Sequence, residues 1–418
     1  MFTLTTAQQR LRDAARELAQ EAAAGAAETD RSQQYPWPMV ARMTEAGFMG
    51  LTIPREWGGQ GGSYLDAVLV VEEMAKGCAV CGRIAVEANM GAVGAIMAYG
   101  TPAQKRIAAG LVLAGDKPAI CITEPDAGSA AGEMTTTAVR HGDTWVINGV
   151  KHWITGGGVS KLHLIFARAM EPNADGVMVD QGIGGFLVVR HGPQDPPGLV
   201  VHKRIPSMGL CGMPEAELHF QGLEVADAMV LRAPNSGAGG GFKRGFGKLM
   251  DAYNGQRVGA ATAALGIAAG AYDRALDFVQ QRHQFGRPIA EFQGIGWMLA
   301  DMSIKLEASR ALIWQAAASA GPNGFPDRLM AARAKVLAAD SALEVTNMAL
   351  QLWGAAGYSR ENPMERAVRD ARMFPIAGGT AQILRNQVAE QLLGRKLPQT
   401  RDGMLRLAME DAARIAAE

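Results

Sequence analysis

Four short stretches and one lone charge hold the residue types from which a site could be built. In "CITEPDAGSAAG" (121–132), Ile122, Thr123 and Ser129 sit among small residues. A backbone there can approach a flat ligand closely while hydroxyls and amides remain free to donate. In "INGVKHWITGGG" (147–158) an aromatic, Trp153, stands beside a hydroxyl, Thr155, a pair able to stack on a ring system and bond its edge. Taken singly, the first stretch is only a turn and the second only a core strand. "RHQFGRPIAEFQGIGWMLADM" (282–302) puts Arg282 and Phe285 in a loop ahead of an apolar helix. "QLWGAAGYSRENPMERAVRDARMFPIAGGTAQILRNQ" (351–387) ends with Thr380 and Gln382 at a predicted helix start, a place suited to anionic ligand groups.

The lone charge is Arg83 in "CAVCGRIAVEANMGAV", set in a small and apolar helical stretch. An unpaired buried guanidinium is costly, so it requires an anion. Glu87, four residues on, can supply one as a helical ion pair. A ligand with a negative end can supply another, held by two parallel hydrogen bonds.

Other chemistries fit less well. There is no G-x-S-x-G elbow, and the seven histidines are scattered without an obvious nucleophile. "SGAGGGFKRGFGKL" fails the phosphate-loop spacing and reads as a flexible loop. The four cysteines, Cys78, Cys81, Cys121 and Cys211, lie in small or apolar surroundings with no second Cys or His pair, so they read as reduced core thiols and no metal site is expected.

With 418 residues the chain can build a large shared core of two or three subdomains. Its 41 basic and 41 acidic side chains balance to a formal charge of +0, which argues against broad capture of nucleic acid or an anionic membrane. The N-terminus lacks an apolar leader, and no run of about 18 apolar residues is evident. A cytoplasmic protein is expected.

The elements that must position these residues follow from periodicity. Residues 1–117 read as an N-terminal helical domain, with apolar residues at three- and four-residue spacing interrupted by turn chemistry in "IPREWGGQGG". Residues 118–235 read as a middle β domain of short runs such as TWVINGV, LHLIFARA, GGFLVVR and AELHFQGLEV. Residues 236–418 return to a helical period in Ala- and Leu-rich segments.

The four stretches, in this order and in a helix, sheet, helix frame, resemble the acyl-CoA dehydrogenase family over nearly the whole chain. The resemblance implies that family's fold: an N-terminal α-helical domain, a middle β-barrel or sheet domain, and a C-terminal four-helix bundle. It also implies FAD bound between the sheet and the C-terminal helices, with an acyl-CoA thioester against the ring. On matching positions Ile122, Thr123, Trp153 and Thr155 would surround the flavin, and Ser129 would reach phosphate or pantetheine groups. Arg282, Phe285, Gln351, Ala355, Thr380 and Gln382 match positions for the adenosine and pyrophosphate half, partly from a neighbouring subunit, which implies a homotetramer. Tyr253, Asn254 and Arg257 match the CoA channel; the plainer reading from the residues alone is that Asn254 caps a helix start.

Dehydrogenation in that family needs a carboxylate beside the α-carbon. Most members carry Glu where this chain has Gly378, and a subset carries it where this chain has Gln256. A glycine has no side chain, and an amide is far too weak a base at neutral pH. Glu365 and Asp370 are the nearby acids that could reach in. The vacant base positions, Arg83 and "YNGQRVGAATAALGIA" resemble a small branch of the family, the 3-sulfinopropanoyl-CoA desulfinases. That resemblance implies redox-neutral cleavage of a carbon–sulfur bond, with Arg83 anchoring the sulfinate and Gln256 polarising a water or the leaving group. The alternatives are an FAD-dependent acyl-CoA dehydrogenase or reductase with another base, and a flavin-binding relative without turnover.

Overall fold

Capping boxes start three of the helices in the first third. Thr5 opens α1 (Thr6–Ser32) with a capping box, its hydroxyl accepting from Gln8 N while Gln8 returns a bond to Thr5 N. After α2 (Trp37–Glu45), the same device, Ser63 with Asp66, opens α3 (Tyr64–Gly77). Next come α4 (Ala79–Asn89), α5 (Ala92–Tyr99) and α6 (Pro102–Leu113), the last begun by Thr101 and Gln104 with Pro102 at its first turn. The computed structural model describes residues 3–192, 195–232, 242, 245–321, 324–397, 403, 405, 408–410 and 412–413. The glycine-rich loop expected near residue 240 lies largely outside the described residues.

The chain then changes period. Strands β1 (Ala119–Cys121), β2 (Thr137–His141), β3 (Thr144–Thr155), β4 (Leu162–Pro172), β5 (Met178–Val189), β6 (Leu199–Ile205), β7 (Glu215–Ala226) and β8 (Val230–Leu231) form one sheet. Its order is β6-β7-β3-β2-β4-β5-β8, with β1 beside β4. Pairing is antiparallel except that β4 runs parallel to β1 and β2. Trp145, Phe186 and Phe242 fill the sheet's own core, edge to face or stacked, with Trp145 Nε1 donating to Asp227 at 2.9 Å.

Helices return with α7 (Gly245–Gln281), a short β9–β10 hairpin (residues 283–288), α8 (Gln293–Ala318), α9 (Arg328–Trp353), α10 (Ala355–Tyr358), α11 (Met364–Ala371) and α12 (Ala381–Leu393). The largest core runs through α1, α3 and α4 into α7, α8 and α9. Alanines such as Ala260, Ala264, Ala334 and Ala338 are buried along α7 and α9, and small side chains let helix axes approach closely.

Two expectations change. Asn254 lies inside α7, nine residues past its start, so it caps nothing. Cys211 is half-buried against charged neighbours rather than apolar ones: Arg369 Nη1 donates to its sulfur at 3.8 Å. The segment 79–99 does reach a mean hydropathy of 1.2 over an 18-residue window, but it is divided between α4 and α5 and 89% of that window is buried, as in a core helix. All four cysteines are free thiols.

Candidate active site

The first wall of the site is the turn after β1, fixed by a buried ion pair. Lys151 Nζ lies 2.8 Å from Glu124 Oε1 and donates to the carbonyl of Ile122 at 2.8 Å. Glu124 also accepts from Thr135 N at 2.6 Å and Thr136 N at 3.0 Å. Burial by itself would raise the Glu124 carboxyl, but these donors outweigh it and draw it down to about 2. Ile122 and Thr123 are thereby held against β3, where His152 N donates to Thr123 O at 2.8 Å.

A bulge in β3 then re-aims an aromatic. The register with β7 shifts between Lys151 and Ile154, and Trp153 takes a left-handed φ of 57°. That conformation costs a non-glycine residue roughly 1–2 kcal/mol, and it leaves the indole 49% exposed. Two residues on, Thr155 Oγ1 donates to both carboxylate oxygens of Glu215, at 2.9 and 3.0 Å. Glu215 is the partner directly across the β3–β7 ladder.

A polar network enters from the helices. On α4, Arg83 Nη2 lies 2.6 Å from Glu87 Oε1, and both side chains are buried. Glu87 also accepts from Gln256 Nε2 at 3.0 Å, and Lys117 Nζ stands 3.6 Å from its second oxygen. Lys117 Nζ in turn donates to Thr155 O at 2.9 Å. One chain of contacts therefore links α7, α4, the segment before β1, and strands β3 and β7.

A further part of the candidate site is the double-glycine loop. Gly378 and Gly379 have φ of 76° and 88°, a region open to glycine at little cost. Their carbonyls are gripped by two basic side chains: Arg257 Nε donates to Gly378 O at 3.4 Å and Lys335 Nζ to Gly379 O at 2.7 Å. Arg257 also holds Asn254 Oδ1 at 2.8 Å, with its guanidinium 5.8 Å from the centre of the Tyr253 ring. Burial pulls Arg257 down to about 10, still far above neutrality, and pulls Lys335 down to about 7 with help from the Arg257 and Arg83 charges. A Cβ built at Gly378 would meet nothing within 4 Å.

Of the sequence-predicted residues, Arg83 and Gln256 meet through Glu87, and Tyr253, Asn254, Arg257 and Gly378 form a second group. Ile122, Thr123, Trp153 and Thr155 gather along β1 and β3. Ser129, Arg282, Gln351, Ala355 and Gln382 lie on the exposed surface, and Phe285 is 92% exposed. Thr380 caps α12, its hydroxyl accepting from Ile383 N at 3.2 Å. The two acids considered as substitute bases are engaged elsewhere: Glu365 with Arg369 at 2.6 Å, and Asp370 with Leu210 N at 2.6 Å. Sequence reasoning missed Lys117, Lys335 and Glu215. On the sheet surface, His202, Glu217 and His219 bring ligand atoms within 4.8 Å of one another, a grouping the cysteine and histidine spacing did not reveal.

Among the buried polar atoms without a partner among the described residues are Nε of Arg83 and Oε1 of Gln256. Such atoms are costly unless a ligand or water meets them. With the half-exposed Trp153 and the open space over Gly378, they fit a flat, hydrogen-bonding ligand of the flavin kind together with a polar acyl group.

Comparison with known proteins agrees in every third of the chain. Family models described as the acyl-CoA dehydrogenase N-terminal, middle and C-terminal domains match residues 5–116, 119–223 and 243–393. A 3-sulfinopropanoyl-CoA desulfinase of Variovorax paradoxus is 63% identical over 98% of this chain and 100% of its own length. A protein of the same name from Cupriavidus necator is 60% identical over 97% of this chain and 100% of its own. The structure of butyryl-CoA dehydrogenase from Megasphaera elsdenii aligns with a TM-score of 0.85 at 32% identity, covering 94% of this chain and 100% of that one. By its three matching domains, and by full-length relatives that carry the same architecture, the chain belongs to the acyl-CoA dehydrogenase family.

Proposed function

We propose that this enzyme binds FAD and removes sulfite from 3-sulfinopropanoyl-CoA, leaving propanoyl-CoA. The observation that carries the reading is the pairing of a missing carboxylate with a spare cation. Gly378 and Gln256 offer no base, while Arg83 keeps a buried Nε unmatched after pairing with Glu87. Relatives named for this reaction, at 63% and 60% identity over nearly full length, support the same substrate.

On this reading Arg83 holds the sulfinate oxygens through its free donors, and Glu87 keeps the guanidinium in place from the other side. Gln256, tied to Glu87 through Nε2, turns its free Oε1 toward a water or the leaving group. Tyr253, Asn254 and Arg257 line the thioester's approach, and Ser129 lies on the path of phosphate or pantetheine groups. FAD, when bound, supplies a flat face that orients the acyl chain, flanked by Ile122, Thr123, Trp153 and Thr155. The exposure of Arg282, Phe285, Gln351, Ala355 and Gln382 supports an adenosine half completed by a neighbouring subunit, hence a homotetramer. Thr380 contributes there from the start of α12. Four free thiols are in keeping with the reducing cytoplasm.

The test incubates purified FAD-loaded protein with 3-sulfinopropanoyl-CoA and no electron acceptor, following free sulfite and propanoyl-CoA. Stoichiometric sulfite supports the reading. No sulfite, with bleaching of the flavin by succinyl- or glutaryl-CoA, identifies a dehydrogenase instead.

A further inference from the structure

Desulfination as proposed above leaves one demand unmet by Arg83 and Gln256. The carbon–sulfur bond breaks with its electron pair left on carbon, so carbon must take a proton. Sulfur must then take an oxygen from water. The sum is a sulfinate plus water giving a C–H bond plus hydrogen sulfite, with no electrons gained or lost. A guanidinium is not a proton donor at neutral pH, and an amide is no acid. A group that holds a proton near neutral pH is still required.

We propose that Glu215 is that group: it delivers the proton that replaces sulfur on carbon, and recovers one from the water that joins sulfur. The proposal rests on the functional reading above and adds a residue to it.

Glu215 opens β7 directly across from Thr155, whose hydroxyl bridges both of its oxygens. Among the described residues, the charged and titratable groups that act on it most strongly belong to the same site: Arg83 and Glu87 from α4, Lys117 from the segment before β1, and Tyr253 from α7. Part of its surface is still reachable by water, yet dense protein surrounds it. Burial raises its carboxyl to about 7, against the lowering pull of Arg83, the Thr155 hydrogen bond and Lys117 and with a further push from Glu87. An acid placed there is protonated for much of the time at neutral pH and can cycle.

The test compares wild type with Glu215→Gln and Glu215→Asp as FAD-loaded proteins. Sulfite release from 3-sulfinopropanoyl-CoA is followed from pH 5.5 to 9, alongside carbon-13 NMR of glutamate-labelled protein without substrate. In the wild type, the rate has a limb near pH 7, and one carboxyl resonance titrates at the same point. In Glu215→Gln that resonance is absent, the limb is gone, and the rate falls about 100-fold or more. Glu215→Asp keeps a displaced limb and an intermediate rate, which shows that loss in the amide variant is not misfolding. Wild-type rates and limb in Glu215→Gln would overturn the proposal while leaving the functional reading intact. A wild type that releases no sulfite removes both.

Discussion

Arg83 Nη2 lies 2.6 Å from Glu87 Oε1 one turn further along α4, while Nε of the same guanidinium is buried and meets no partner among the described residues. The two candidate partners for this arginine are therefore compatible: Glu87 takes one side of the fork and leaves the other for a ligand. Arg83→Ala should weaken an anionic acyl-CoA by about 1.5–3 kcal/mol, roughly 10- to 150-fold in Kd. Propanoyl-CoA, which lacks the sulfinate, should lose little. Calorimetry with both ligands checks this, and equal losses for the two would remove Arg83 from the sulfinate site.

Gly378→Glu tests the vacancy itself. A Cβ there meets nothing within 4 Å, so the obstacle is backbone: φ is 76°. Gly378→Ala should cost roughly 1–2 kcal/mol from the left-handed conformation alone. The glutamate variant should lose a similar amount and gain anaerobic flavin bleaching with butyryl-CoA. A folded, FAD-loaded glutamate variant with no bleaching would show that position 378 does not face the α-carbon.

How much of this was legible in the sequence depends on whether a residue contradicts its neighbours. Arg83 stands out because the surrounding stretch is small and apolar, and helical spacing alone names Glu87 as its partner. Lys335 in "AARAKVLAAD" obeys the same logic, but long lysines on Ala-rich helices commonly reach solvent, so its full burial was not foreseen. Glu215 was hidden by alternation. In "PEAELHF" Glu215, Glu217 and His219 share one face of β7, which reads as a polar outer face. Glu217 and His219 pair with each other at the sheet surface, whereas Glu215 at the strand's start interacts electrostatically with Arg83, Lys117 and Tyr253. Strand parity names a face, not what lies above it. The helix, sheet, helix order was readable because each third has its own period, while contacts between thirds were not.

Lys335 gives a pH signature of its own. Its ammonium is fully buried, and burial draws it from the usual lysine range down to about 7. A depressed base penalises the folded state while charged, so the cost is fully present below pH 7 and fades as pH rises toward the unfolded lysine value, about 10.4. Lys335→Met removes that cost together with the grip on Gly379 O. In urea melts the variant should compare best with wild type near pH 6 and fall behind by pH 9. A stability gap constant across that range would mean that Lys335 keeps its charge in the fold.

Gly91 leaves no room for a side chain beside Gln256. A Cβ at Gly91 would stand 2.5 Å from Gln256 Oε1 and 2.9 Å from Ile120 Cδ1, on a backbone with φ of 63°. Gly91→Ala should therefore combine strain with overpacking and cost roughly 2–4 kcal/mol. The two parts separate in a double-mutant cycle, because Gln256→Ala removes the amide but leaves the backbone unchanged. In the Gln256→Ala background, the penalty of Gly91→Ala should shrink by at least about 0.5 kcal/mol, the mark of residues in direct contact. Sulfite release should fall in each single variant, since Gly91→Ala displaces the same Oε1 that Gln256→Ala deletes. Additive stabilities would show that the amide swings clear of Gly91 in solution, and the free acceptor assigned to Gln256 would then have to be sought elsewhere.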